Sequence, residues 1–145
     1  MQFWLVKSEP DSFSWDDQVA LGAAGGPWDG IRNYQARNNM RAMALGDRAF
    51  FYHSNMGKEI VGVVEVCALS HRDPTTDDPR WDCVDFRAIA ALPRSVTLTD
   101  CKSEPALADM ALVRQMRLSV QPVTALEWQR VCDMAGWDGA LNLRA

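Results

Sequence analysis

The side chains best suited to chemistry lie in two short segments, WLVKSEP at residues 4–10 and WDGIRNYQARNNMR at residues 28–41. Indole, amide and guanidinium groups crowd together there: Trp28, Arg32, Asn33, Tyr34, Gln35, Arg37 and Asn38. Polar groups left unpaired in an interior are costly, so the partner such a set calls for is a planar, hydrogen-bonding ligand from outside the fold. Trp28 and Trp81 both fall in loops bounded by proline, glycine or aspartate. Each is either a lid over the core or one wall of an aromatic cage. An indole stacked on a nucleobase contributes about 1–3 kcal/mol, comparable with the cost of extruding a base from a duplex.

Catalytic patterns are sparse. Lys7 and Glu9 alternate with Ser8 and project from one face beyond a strand, an arrangement suited to acid and base work or, more blandly, to an inert ion pair. His53 and Ser54 are neighbours on a probable strand, point to opposite faces and make no nucleophile and base pair. GxSxG, Walker, HExxH and deaminase-type zinc motifs are missing from the sequence. Cys67, Cys83, Cys101 and Cys132 are irregularly spaced, and only His53 and His71 accompany them, so buried reduced thiols are expected, with no metal and no cofactor.

The elements that must position these groups follow from periodicity. Residues 3–6 read as a buried strand, and Ser14 with Asp17 caps a first helix that stops near Gly22. Asn33 caps a second helix that places Arg37 and Arg41 one turn apart. RAFFYHS and IVGVVEVCAL form a hairpin, and CVDFRAIAAL is a further strand expected to end at Pro93. A short strand is expected at residues 117–121. Thr124 and Glu127 then box the start of a helix that buries Trp128. The sum is α+β: a mostly antiparallel sheet or barrel with peripheral helices, in one domain spanning residues 1–145.

A chain of 145 residues, 48% hydrophobic, is long enough to bury a core of its own. The start MQFWLVKSEP lacks a basic, apolar leader, and no apolar run is long enough for a membrane span, so a cytoplasmic protein without membrane contact is expected. Net charge is −4, yet residues 30–58 carry Arg32, Arg37, Arg41, Arg48 and Lys58 against Asp47 alone. An anionic partner should meet this region, unless the arginines pair with acidic residues elsewhere in the chain.

WLVKSEP, WDGIRNYQARN, GD with FFYHS, the GVVEV strand and MRLSVQPVTALEW, in that order, resemble the EVE domain over nearly the full length. The resemblance implies a PUA-like fold, a five- or six-stranded β-barrel with helices around it, related to YTH and ASCH domains. It also implies non-catalytic binding of a modified base in DNA or RNA. Carried over by position, Lys7 and Ser8 would open the pocket, Trp28 and Trp81 would be its two tryptophans, and Ser54 and Asn55 its floor beside His53. Asn33, Tyr34 and Gln35 would read a base edge, while Arg32, Arg37 and Arg41 would hold flanking phosphates. The ASCH likeness admits an alternative, an enzyme on modified nucleosides using Lys7 and Glu9. A module meeting an acidic protein through its arginines is a third reading.

Overall fold

The computed structural model describes residues 1–139. Six strands, β1 (Phe3–Ser8), β2 (Gly26–Pro27), β3 (Arg48–His53), β4 (Glu59–Arg72), β5 (Asp82–Thr97) and β6 (Val120–Val123), form one sheet in the order β2-β5-β4-β3-β1-β6. Five α-helices surround it: α1 (Trp15–Ala20), α2 (Tyr34–Ala42), α3 (Leu98–Ser103), α4 (Ala111–Arg114) and α5 (Ala125–Ala135). β1 runs parallel to β3, and the other pairings are antiparallel. The barrel is an open one, with β2 and β6 as its edges.

Strand alternation divides the apolar residues between two cores. β1 sends Leu5 to one and Trp4 and Val6 to the other, while β3 sends Phe50 and Tyr52 to the first and Ala49 and Phe51 to the second. The first core is closed by α5, whose Trp128 stacks on Phe50 (centroids 3.8 Å apart) and on Phe3 (4.5 Å). The second is closed by α1 and α2 through Trp15, Ala36 and Met40, and it contains Trp28. Central strands are therefore covered on both sides, which fixes their register, since a slip of one residue would exchange the two cores.

Local signals start the helices where expected. Ser14 with Asp17 and Thr124 with Glu127 both form complete capping boxes, and Asn33 accepts from the Ala36 amide. Two boundaries differ from the sequence reading. β5 continues through Pro93 to Thr97 because the pairing jumps from Gly62 opposite Ala91 to Ile60 opposite Val96, so the proline sits in an irregularity where its missing N–H is not needed. The last strand begins at Val120 rather than Arg117. Residues 115–118 form a turn instead, held by the Leu118 amide on the Gln115 carbonyl and by the buried Gln121 Nε2, which donates to the carbonyls of Leu118 and Gln115.

Asp47, the lone anion of the basic segment, is buried and structural. It accepts from the Gln2 amide, the Trp4 indole N–H and the Ala44 amide, joining the amino terminus to the α2–β3 turn. Gly62 of β4 lies against the Trp15 ring, where an added Cβ would come within 2.5 Å of the indole. Gly62→Ala should therefore lower stability by about 1–3 kcal/mol through overpacking, measured as a lower urea midpoint with an unchanged m-value.

Candidate functional site

The end of β1, the following loop and the segment around β2 enclose a hollow of about 530 Å³. Lys7, Ser8 and Phe13 line one side, and Gly25 to Asp29 with Ile31 line the other. Its size falls within the range of small-ligand sites. Gly25 brings the backbone close: its φ is 64°, and a Cβ there would lie 2.3 Å from the Phe86 carbonyl oxygen, so no side chain is tolerated. At Gly26 a Cβ would meet only the tip of Leu21, at 2.9 Å.

Trp28 is both a core residue and a wall of this hollow. It is 7% exposed, its amide donates to the Val84 carbonyl at 2.8 Å, and its ring is held edge-on by Phe51, Phe86 and Phe13 at centroid distances of 5.5, 5.6 and 6.0 Å. The Lys7 ammonium donates to the Met116 carbonyl, which leaves two of its hydrogens for another acceptor, and burial lowers its pKa. Ser8 Oγ donates to the Phe13 carbonyl at 2.6 Å and keeps its lone pairs. Burial, aided by Asp73, raises the Asp29 pKa, with Arg32 opposing. The hollow thus offers an indole, a donor and an acceptor, enough to orient a planar heterocycle by its edge.

Of the residues singled out in the sequence, Lys7, Ser8 and Trp28 come together here. Trp81 does not join them. It is buried under Tyr34, the rings stacked at 5.0 Å and 29°, so the expected two-tryptophan cage is replaced by a separate stack beyond the rim. His53 faces the amino end of α1, where its Nε2 accepts from the Trp15 amide at 3.0 Å. Ser54 and Asn55 lie beyond Lys7, in an adjacent cavity of about 210 Å³ with Tyr52 and Lys58. There Ser54 extends the parallel pairing by donating its amide to the Ser8 carbonyl, and Asn55 Nδ2 donates to Glu9. Asn33 is the α2 cap, and Gln35 Nε2 donates to Gln115 Oε1 at 3.4 Å, both away from the hollow. Lys7 and Glu9 are drawn to different partners, the Met116 carbonyl and the Asn55 amide.

The arginines have found acidic and carbonyl partners in the loop at residues 73–82. Arg32 donates to Asp73 at 3.1 Å and to Thr75, Arg41 to Asp82 at 2.5 Å, and Arg37 to the Arg80 carbonyl while its guanidinium lies 4.9 Å from the Tyr34 centroid. Arg37 and Arg41 share no common partner, because each turns to a different point on that loop. The loop is pinned by Asp73, whose fully buried carboxylate also accepts from the Gly30 amide (2.8 Å) and from the Thr75 amide (2.7 Å) and hydroxyl (2.6 Å). Burial alone would raise its pKa, but these donors outweigh it and hold the carboxyl at about 2. Asp29, Phe13 and Asp73 were missed in the sequence. Asp29 lies in the second motif but looks like an ordinary loop residue, Phe13 falls outside both motifs, and the role of Asp73 depends on a contact 41 residues away.

The fold is that of a small PUA-like barrel with a hollow beside the end of β1. The chain belongs to the EVE domain family, whose profile matches residues 2–134. It is 37% identical over 167 residues to thymocyte nuclear protein 1 of Danio rerio, covering 93% of this chain and 72% of that protein. Among solved structures it resembles a protein from Agrobacterium tumefaciens (54% identity, TM-score 0.95, all of both chains). It also resembles human THYN1 in complex with DNA containing 5-methylcytosine (34% identity, TM-score 0.86, 93% of this chain and 98% of that one). The YTH domain of Zygosaccharomyces rouxii MRB1, solved with N6-methyladenosine RNA, shares the fold at 19% identity (TM-score 0.57, covering 92% and 86%). The expected cytoplasmic assignment is withdrawn, because relatives matched over nine tenths of the chain are named as nuclear proteins. Among the described residues no helix is long and apolar enough to cross a membrane.

Two outcomes test this arrangement. In Asp73→Asn the amide nitrogen replaces one oxygen and faces donors, so stability should fall by about 2–3 kcal/mol in urea unfolding. His53, whose pKa burial lowers, is neutral when it accepts from Trp15, and the unfolded chain binds the proton more tightly. Its contribution is complete above the unfolded pKa of 6.5 and is lost as pH falls from there through the lower folded pKa. The urea midpoint should drop from about pH 7 to pH 5 more steeply in the wild type than in His53→Gln, whose amide oxygen can accept without titrating.

Proposed function

We propose that this chain binds one modified base of a DNA or RNA strand in the hollow beside Trp28 and catalyses no reaction on it. The observation that carries this reading is the hollow itself, a wall of immobilised indole facing Lys7 and Ser8 with Asp29 at its margin. Stacking on the indole would supply sequence-tolerant affinity, while the ammonium, hydroxyl and carboxyl groups would meet the polar edge of the base. The relationship to human THYN1, solved with DNA containing 5-methylcytosine, makes that base the first candidate. Direction of Lys7 to Met116 and of Glu9 to Asn55 supports binding over acid–base chemistry by that pair.

Phosphates flanking the base would approach Arg32, Arg37 and Arg80 at the rim, in competition with Asp73, Asn38 and Asp78. One or two contacts won this way would give a slope of about −1 to −2 in log affinity against log salt.

The experiment is a titration of oligonucleotides, each carrying a single modified or unmodified base, followed by tryptophan fluorescence and by recovery of the base. One modified base should bind preferentially and be recovered unchanged. Trp28→Phe, which keeps an aromatic ring against Phe13, Phe51 and Phe86, should weaken it by about 5-fold or more while thermal unfolding shows an intact fold. Affinity that ignores every modification overturns the base-binding reading, and release of an altered nucleoside overturns the non-catalytic one.

A further inference from the structure

Across the β4–β5 pairing His71 stands opposite Cys83, and Asp85 lies two residues along β5 on the same face. His71 Nε2 is 2.8 Å from Asp85 Oδ1, and Cys83 Sγ is 3.9 Å from each ring nitrogen. The other edge of the ring, Nδ1, is 3.1 Å from the Arg72 carbonyl oxygen. A carbonyl only accepts, so Nδ1 carries the hydrogen. Nε2 and a carboxylate oxygen are then two acceptors at hydrogen-bond distance, and they hold together only around a positive species. That species is either a proton, which makes His71 an imidazolium, or a metal ion in the proton's place.

We propose that His71 Nε2, Cys83 Sγ and the Asp85 carboxylate form a site for a zinc-class divalent cation, with its fourth position open to solvent. Zinc bonds of about 2.0–2.3 Å to nitrogen, oxygen and sulfur put tetrahedral ligand atoms roughly 3.2–3.8 Å apart. The observed 2.8 and 3.9 Å bracket that range and the three donor atoms lie within 4.8 Å of one another, while the Cys83 thiol, now equidistant from both ring nitrogens, would rotate toward Nε2 to complete the set. The Arg72 carbonyl supplies the outer hydrogen bond that fixes the tautomer of a metal-binding histidine. Nitrogen, thiolate and carboxylate together suit zinc or cobalt better than calcium or magnesium. Binding displaces the Cys83 thiol proton and any proton on Nε2, which pass to solvent, and no electron is transferred. Burial, followed by the charges of Asp73, Asp85, Asp29 and Asp82, pushes the free thiol up to about 12. The same surrounding carboxylates favour an arriving cation. Spacing along the chain conceals the set, because only the strand register brings residue 71 beside residue 83.

The purified 145-residue chain, stripped with chelator, is titrated with zinc by calorimetry and with cobalt by absorption spectroscopy. The wild type should bind one ion and show a near-ultraviolet thiolate-to-cobalt band. Cys83→Ser should abolish the band, Asp85→Asn and His71→Ala should weaken zinc binding by about 100-fold or more, and Cys67→Ser should change neither. Should Cys83→Ser fail to fold, the exposed His71 decides through His71→Ala. Absence of one-to-one binding, a band that survives Cys83→Ser, or affinity indifferent to His71→Ala overturns the site. These readouts need no nucleic acid, so they stand apart from the fate of the base-binding proposal.

Discussion

The buried carboxylate of Asp73 is the constraint on which the rim of the hollow depends. One side chain ties the Gly30 amide, the Arg32 guanidinium and its own loop at Thr75 into a single unit. Without it, the segment carrying Trp28 and Asp29 would be joined to the β4–β5 loop chiefly through solvent-exposed arginine contacts, which are individually weak. A carboxylate can be placed out of water only when donors surround it, and here the backbone supplies half of them. Mutual dependence follows: the loop orders the wall, and the wall's amide stabilises the charge that orders the loop.

The same reasoning changes the meaning of the basic segment. Arg32, Arg37 and Arg41 form no open anion-binding face, because Asp73, the Arg80 carbonyl and Asp82 have already drawn the acidic loop over them. They act first as staples between residues 32–41 and residues 73–82. Tyr34 and Trp81, stacked beneath Arg37 and beside Arg32, form the apolar layer of that junction. Nucleic acid approaching the hollow would thus meet a mixed surface, on which stacking matters more than charge.

Much of the fold was legible because its signals are local. Capping boxes at Ser14 and Thr124, the Asn33 cap and the alternation in β3 and β4 each lie within a few residues and were read correctly. The boundaries at Pro93 and Val120 were not, since both depend on what a partner strand or a distant glutamine does. Lys7 and Trp28, singled out by strand alternation and loop position as well as by resemblance, share one hollow with Ser8, whereas the places of Trp81, His53 and Asn33 are set by tertiary partners. The likeness conveys which residues recur, and the coordinates show which of them share a wall.

The walls of the hollow differ in how freely they can change. Trp28 is wedged by three rings that call for another aromatic ring at its position, and Gly25 is closed to any side chain by the Phe86 carbonyl. Gly26 faces only the flexible end of Leu21. Divergence in ligand size among homologous chains should accordingly concentrate on that pair, with a larger residue at one position traded against a smaller one at the other, while the aromatic wall stays as inherited.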